Sequence, residues 1–79
     1  MTHFFFHIRD NRQFIEDTEG VDLPDIVRAI EEAEIAAREL VAEMVLKGEP
    51  IDGQVFEITN EMGVIVHRVY WRDAVKFDD

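Results

Sequence analysis

The side chains best equipped for chemistry are three histidines, His3, His7 and His67, and two arginines, Arg68 and Arg72. Imidazole titrates near neutrality and ligates metals, so clustered histidines suggest proton transfer or chelation. His3 and His7 fall four positions apart in a segment that alternates like a strand, which separates them by ~13 Å on one face. That is too far to share one metal ion. His7 could meet His67 across neighbouring strands, but no third ligand accompanies them, and no metal is expected. Serine and cysteine are both absent, which removes the commonest activated nucleophiles. The histidines therefore read as polar-tipped residues at a sheet surface or interface, and no catalytic residue is assigned.

Two further groups carry charge that could do chemistry. Glu16, Asp17, Glu19, Asp22 and Asp25 crowd one stretch, but a calcium loop needs oxygen ligands at fixed spacing and a distal bidentate Glu. The stretch reads instead as a solvated loop leading into a helix. Arg68 and Arg72, beside Tyr70 and Trp71, could hold an anionic ligand, although pairing with the abundant carboxylates or stacking on the rings is the expected use. His7, His67, Arg68 and Arg72 are the ligand candidates on this reading. Gly48, Gly53 and Gly63 are turn glycines, with no phosphate-binding fingerprint among them, and no cofactor is expected.

Composition sets the frame. The chain has 79 residues, enough for one small domain (1–79), and an apolar share of 47%, too high for disorder. Eighteen acidic against eight basic residues give a formal charge of −10. Phosphate backbones would be repelled, so no nucleic acid is expected, and an anionic membrane surface is disfavoured likewise. The opening residues lack a basic, sufficiently apolar leader, and no stretch approaches a membrane span. A cytoplasmic protein is the expectation.

Alternation and turn chemistry place the elements. Residues 3–9 are aromatic and β-branched, with Phe4, Phe6 and Ile8 on one face and His3, Phe5 and His7 on the other. Asp10-Asn11-Arg12 is a turn signal, and a short strand returning to Glu16 completes a hairpin over about 3–16. Pro24 suits the first helical position, with Leu23 or Asp22 as cap. From there Ile26, Ile30, Ala33, Ala37, Leu40 and Met44 form one stripe, widened by Val27, Val41 and Val45, in a helix over about 24–47. Glu34 with Arg38, and Glu43 with Lys47, are expected as i,i+4 pairs. Gly48 fits the left-handed stop, and Pro50 blocks continuation.

A second hairpin covers about 54–71. Phe56 and Ile58 face one way on its first strand. Asn60-Glu61-Met62-Gly63 reads as a type I turn closing on Gly63. On its second strand Ile65, His67, Val69 and Trp71 oppose Val64, Val66, Arg68 and Tyr70. Residues 72–79 form a polar tail, with Ala74, Val75 and Phe77 expected to dock back.

The fold class is therefore α+β: ββαββ, a four-stranded, antiparallel-rich sheet with one long helix on one face. The first and last strands are the most apolar, which predicts the order 2-1-4-3, with 1-2-3-4 as the rival. Lengths point to a partner. A helix of about 23 residues spans roughly 34 Å, whereas a strand of about seven spans ~23 Å. The helix should overhang its sheet, and one sheet face should stay bare. A homodimer is expected, through either the sheet's open face (Phe5, Val64, Val66 and Tyr70) or the helix overhang (Met44 and Val45).

Three segments together carry a resemblance: Phe4-Phe5-Phe6-His7-Ile8-Arg9-Asp10; Asp17-Thr18-Glu19-Gly20-Val21-Asp22-Leu23-Pro24 before an Ala/Glu/Arg-rich helix; and Phe56-Glu57-Ile58 with Arg72-Asp73-Ala74. They resemble a family of small bacterial proteins of unknown function that begin with an aromatic-aromatic-Phe-His strand and carry an acidic Glu-Gly step before one long helix. The similarity covers nearly the whole chain and departs at the first turn, where Asp10-Asn11-Arg12 replaces the usual glycine. It implies the fold boundaries and carries over no functional residue.

The function expected is a non-enzymatic, homodimeric protein-interaction module, with another protein as a further partner. One rival is an acidic decoy for a basic, nucleic-acid-binding protein, which would need carboxylates in a phosphate-like stripe. The other is a small-ligand binder or enzyme using His7, His67 and Arg68 in a cleft.

Overall fold

The structure is a computed structural model that describes residues 1–75; the expected docking of Phe77 lies outside them. The chain runs β1 (Thr2–Arg9), β2 (Phe14–Ile15), β3 (Val21–Leu23), α1 (Ile26–Lys47), β4 (Val55–Thr59), β5 (Ile65–Tyr70) and α2 (Trp71–Ala74). Among the described residues the strands form one antiparallel sheet, ordered β2-β1-β4-β5, with β3 beside β2 along the same outer edge of β1. Helix α1 crosses one face. The molecule is 37 × 28 × 16 Å, and its thin dimension leaves room for one helix layer on one sheet. This is an α+β fold in which the expected hairpin-helix-hairpin frame is recognisable, with β3 and α2 added.

The strand order differs from both sequence expectations. The Val55–Thr59 strand pairs with β1, and the Ile65–Tyr70 strand lies at the edge. Apolar content on both faces was a poor guide to centrality. All five residues of β4 are buried, including Glu57 and Thr59, because side chains on both flanking strands pair with or cover the polar ones. A bulge adds a second correction. Thr59 faces Ile65 while Ile58 faces His67, so the extra residue moves Ile65 off the face of His67 and Val69 and onto that of Thr59.

Helix α1 follows its sequence closely at the C-terminus. Gly48 has φ 72, its N–H donates to Val45 O at 3.1 Å, and Glu49 N–H donates to Met44 O at 2.9 Å. These two bonds form the paired C-terminal closure that a left-handed glycine permits. At the N-terminus the cap is Asp25, not Leu23 or Asp22; its carboxylate accepts the Arg28 N–H at 3.0 Å. Pro24 therefore precedes the cap, in the bend between Leu23 and the helix.

The core pairs small residues on the helix with large ones on the sheet. Ala29, Ala33, Ala37 and Val41 are buried against Phe4, Phe56, Ile58, Val69 and Trp71. Ile26, Ile30, Leu40 and Met44 pack at its margin, as do Phe6 and Ile8, and Ala74 and Val75 dock back as expected. Val45 continues the four-residue line Ala29–Ala33–Ala37–Val41 yet is 62% exposed. The helix has outrun its supporting layer there. Val27, expected in the stripe, faces solvent. The expected pairs Glu34–Arg38 and Glu43–Lys47 are not among the ion pairs of the described residues. Arg28 bridges Glu32 instead, at 2.9 Å, and Arg38 Nη1 donates to Ala74 O at 3.4 Å.

Candidate functional site

The sheet face opposite α1 collects the polar chemistry. Antiparallel register brings His7, Glu57 and Arg68 into one cross-strand row, with Arg9, Val55 and Tyr70 in the next. Glu57, whose side chain is 9% exposed, lies at the centre. Its Oε2 accepts from Arg9 Nε at 3.0 Å and lies 3.7 Å from Arg68 Nε. The second contact is an ion pair beyond hydrogen-bond length. A carboxylate desolvated this far needs a charged partner, and here two guanidiniums flank it.

Aromatic rings extend this row along β1. His3 meets Phe5 edge-on at 5.0 Å, Phe5 lies parallel to His7 at 6.1 Å, and His7 meets Phe14 at 5.4 Å. The Arg9 guanidinium sits 4.4 Å above the Phe14 ring, a cation–π contact.

His7 serves this scaffold. Its Nδ1 accepts the Asp17 N–H at 3.0 Å, so the proton of the neutral ring resides on Nε2, which donates to Thr59 Oγ1 at 3.1 Å. His67 lies across from Ile58, on the helix side of the sheet. The anticipated meeting of His7 and His67 does not occur: β4 separates them and they face opposite ways. Arg72 is exposed on α2, away from the Arg9–Glu57–Arg68 cluster. Among the described residues no three His, Asp or Glu side chains converge as a metal site would require, and no helix is long and apolar enough to cross a membrane.

The acidic stretch before the helix is a strap rather than a loose loop. β1 pairs with β3 through Phe4 and with β2 from Ile8, which leaves a gap at Phe6. Asp17 fills it: Oδ2 accepts the Phe6 N–H at 3.0 Å, and Oδ1 accepts from Glu19 and Gly20, each at 3.1 Å. Burial pushes the Asp17 carboxyl up, but these three donors outweigh it and hold the group below the usual carboxylate range. His3 clamps the far end, with Nδ1 2.7 Å from Asp22 Oδ1 and Nε2 2.8 Å from Glu19 O. Both partners are acceptors, so the doubly protonated ring suits them. The bond to Asp22, then that to Glu19, raises the His3 pKa above its ordinary 6.5.

The residues expected at an interface divide between two surfaces. Phe5 is half-buried in the aromatic row, while Val66 and Tyr70 are exposed on β5 and Val64 in the turn before it. Met44 turns toward the first hairpin, near Asp10 and Gln13. Val45 turns the other way, onto an open groove of 870 Å³ lined by Val41, Ala42, Leu46, Ile51, Ala74 and Val75, with Arg38 at its margin. Sequence reasoning missed Arg9, Glu57, Leu46 and Ile51. A cross-strand Arg–Glu–Arg row is visible only once the strand order is known.

A family model described as Domain of unknown function (DUF6894) matches residues 3–70. The chain belongs to this family. No curated protein and no solved structure matches it. The DUF6894 match runs from the His3 clamp to the end of β5, so it contains all of the sheet but Thr2, together with α1 and the Arg9–Glu57–Arg68 cluster. Helix α2 and the Ala74 and Val75 wall of the groove follow it.

Proposed function

We propose that this DUF6894 domain is a non-enzymatic protein-interaction module that works as a homodimer through the overhanging end of α1. The observation that carries the reading is the pairing of a protrusion with a groove on one surface. Val45 is 62% and Leu46 87% exposed, and both stand at the rim of the apolar groove floored by Val41 and Ala74. A two-fold contact joins one patch to its own copy, so a self-complementary patch needs protrusion and recess side by side. Small cores gain stability from such association. His3 and His7 favour a non-enzymatic role, since both ring nitrogens of each are engaged within the scaffold. The decoy reading gains little from α1, where Arg38 falls between Glu34 and Glu39 and Arg28 and Lys47 flank the run of glutamates.

Light scattering at tens of micromolar should give twice the chain mass of 9.2 kDa, and Leu46→Glu should return it to the single-chain value while staying folded by circular dichroism. A single-chain mass for both the full chain and one ending at Val75 would refute the dimer.

A further inference from the structure

We infer that the open sheet face is a docking site for an acidic peptide segment of a partner protein, whose carboxylate is received by Arg9 and Arg68. Glu57 holds each guanidinium on its Nε side. Among the described residues neither guanidinium has an ion-pair or hydrogen-bond partner other than Glu57, and both side chains are 51% exposed. Two guanidiniums gathered at one buried carboxylate are thus left half open to solvent, and a planar guanidinium can receive a carboxylate in two-pronged fashion. Glu57 also spares the Arg9 fork part of the ordering cost of binding, because its hydrogen bond already positions that guanidinium.

Charge selects the partner. Two guanidiniums around one carboxylate leave the cluster with a single net positive charge on a chain of −10. That suits one carboxylate at a time and disfavours the dense phosphates of a nucleic acid. Shape selects the source. Both guanidiniums stand half-exposed on an open sheet face, and small ligands need concave sites to bury their surface. An extended peptide can add contact along the exposed rings of Phe14 and Tyr70, which flank the cluster on β2 and β5. Aromatic and Arg side chains are the residues that most often dominate protein interfaces. The surface lies on the other side of the sheet from α1, so the inference stands or falls separately from the α1-end dimer.

The test follows the Arg Nε–H signals of the ¹⁵N-labelled full chain during titration with a blocked peptide of alternating Glu and Val. Its Gln/Val counterpart, sodium acetate and inorganic phosphate are titrated alongside. The Glu peptide should shift the Arg9 and Arg68 Nε signals and bind at least about tenfold tighter than the Gln peptide, a difference of about 1.4 kcal/mol. Arg68→Gln should remove that preference, and Arg68→Lys should restore only part of it, because the charge returns without the fork. Arg68 contacts Glu57 at 3.7 Å only, so Arg9 still pairs with Glu57 in both variants, and an unchanged backbone spectrum checks the fold. Equal binding of the two peptides would overturn the inference. Acetate saturating at the same concentration as the peptide would assign the cluster to free acids, and phosphate binding more tightly would assign it to phosphoryl groups; either also overturns it.

Discussion

Gly20 and Gly48 have nearly the same backbone, with φ 67 and 72, yet alanine should behave very differently at the two positions. At Gly48 an added Cβ meets nothing within 4 Å. The cost is then the left-handed conformation alone, about 1 kcal/mol. At Gly20 the Cβ would lie 2.6 Å from His3 Nε2 and 2.7 Å from Phe4 O. The imidazole can swing away only by giving up Asp22 and Glu19. The Phe4 carbonyl belongs to β1, opposite Val21, and cannot retreat without parting β3 from the sheet. Losing those hydrogen bonds adds about 1–3 kcal/mol, for a total near 2–4 kcal/mol.

A domain this small rarely has more than about 3–5 kcal/mol in hand. With a urea slope near 1 kcal/mol per molar, Gly48→Ala should lower the midpoint by about 1 M and Gly20→Ala by about 2–4 M. Trp71, the sole tryptophan, is buried 5.4 Å from the Phe56 ring, so its fluorescence reports unfolding of the core. Both variants must be compared at one protein concentration, because association shifts the midpoint. The His3 ring provides a second readout: its raised pKa should fall back in Gly20→Ala and persist in Gly48→Ala. If the two substitutions cost the same within about 0.5 kcal/mol, the close approach of Gly20 to β1 is not a constraint on the fold.

Two further outcomes test the strap. The His3 pKa is raised in the folded chain, so its contribution to stability is complete below the ordinary value of 6.5 and disappears as pH climbs through the raised value. His3→Gln should flatten that part of a series of urea midpoints against pH, and an unaltered slope would mean the clamp adds nothing. The Asp17 pKa is lowered, so its contribution is present above the unfolded value and fades as pH falls through the folded one. Asp17→Asn, with one acceptor oxygen for three donors, should cost about 1–2 kcal/mol near neutrality and reduce the acid dependence. Faster hydrogen exchange at the Phe6 amide should accompany it.

Legibility tracked how local each interaction is. The end of α1 was readable because Gly48 and its two closing hydrogen bonds involve only neighbours. So was the second turn, where Gly63 has φ 79 and its N–H donates to Asn60 O at 3.0 Å. The alternation of β1 correctly separated Phe4, Phe6 and Ile8 from His3, Phe5 and His7. β3 was missed because Val21-Asp22-Leu23 is short and set among carboxylates, and its pairing depends on His3 and Phe4, far back in the chain. The order of β4 and β5 failed for the same reason. Glu57 looks like a solvent residue until Arg9 and Arg68 stand on either side of it. Within the candidate site, Arg68 was visible as a cation near aromatic rings, but the partner that fixes its position was not.

That central row has a consequence for what the open face is for. Replacing a buried ion pair with well-packed apolar residues is often neutral or stabilising, since it avoids desolvating charges. A leucine between two aliphatic neighbours would therefore serve β4 at least as well as Glu57 between two arginines, if stability were the only demand. The carboxylate adds geometry: it draws Arg9 and Arg68 from the two flanking strands toward one point, while the Arg9 guanidinium lies over the Phe14 ring. The helix side of the same sheet shows the alternative, a core closed by Ala29, Ala33 and Ala37 against Phe4, Phe56 and Ile58 with no charge at all. One face is thus built for cohesion. The other holds its cations in place around a desolvated anion, an arrangement that suits recognition better than packing.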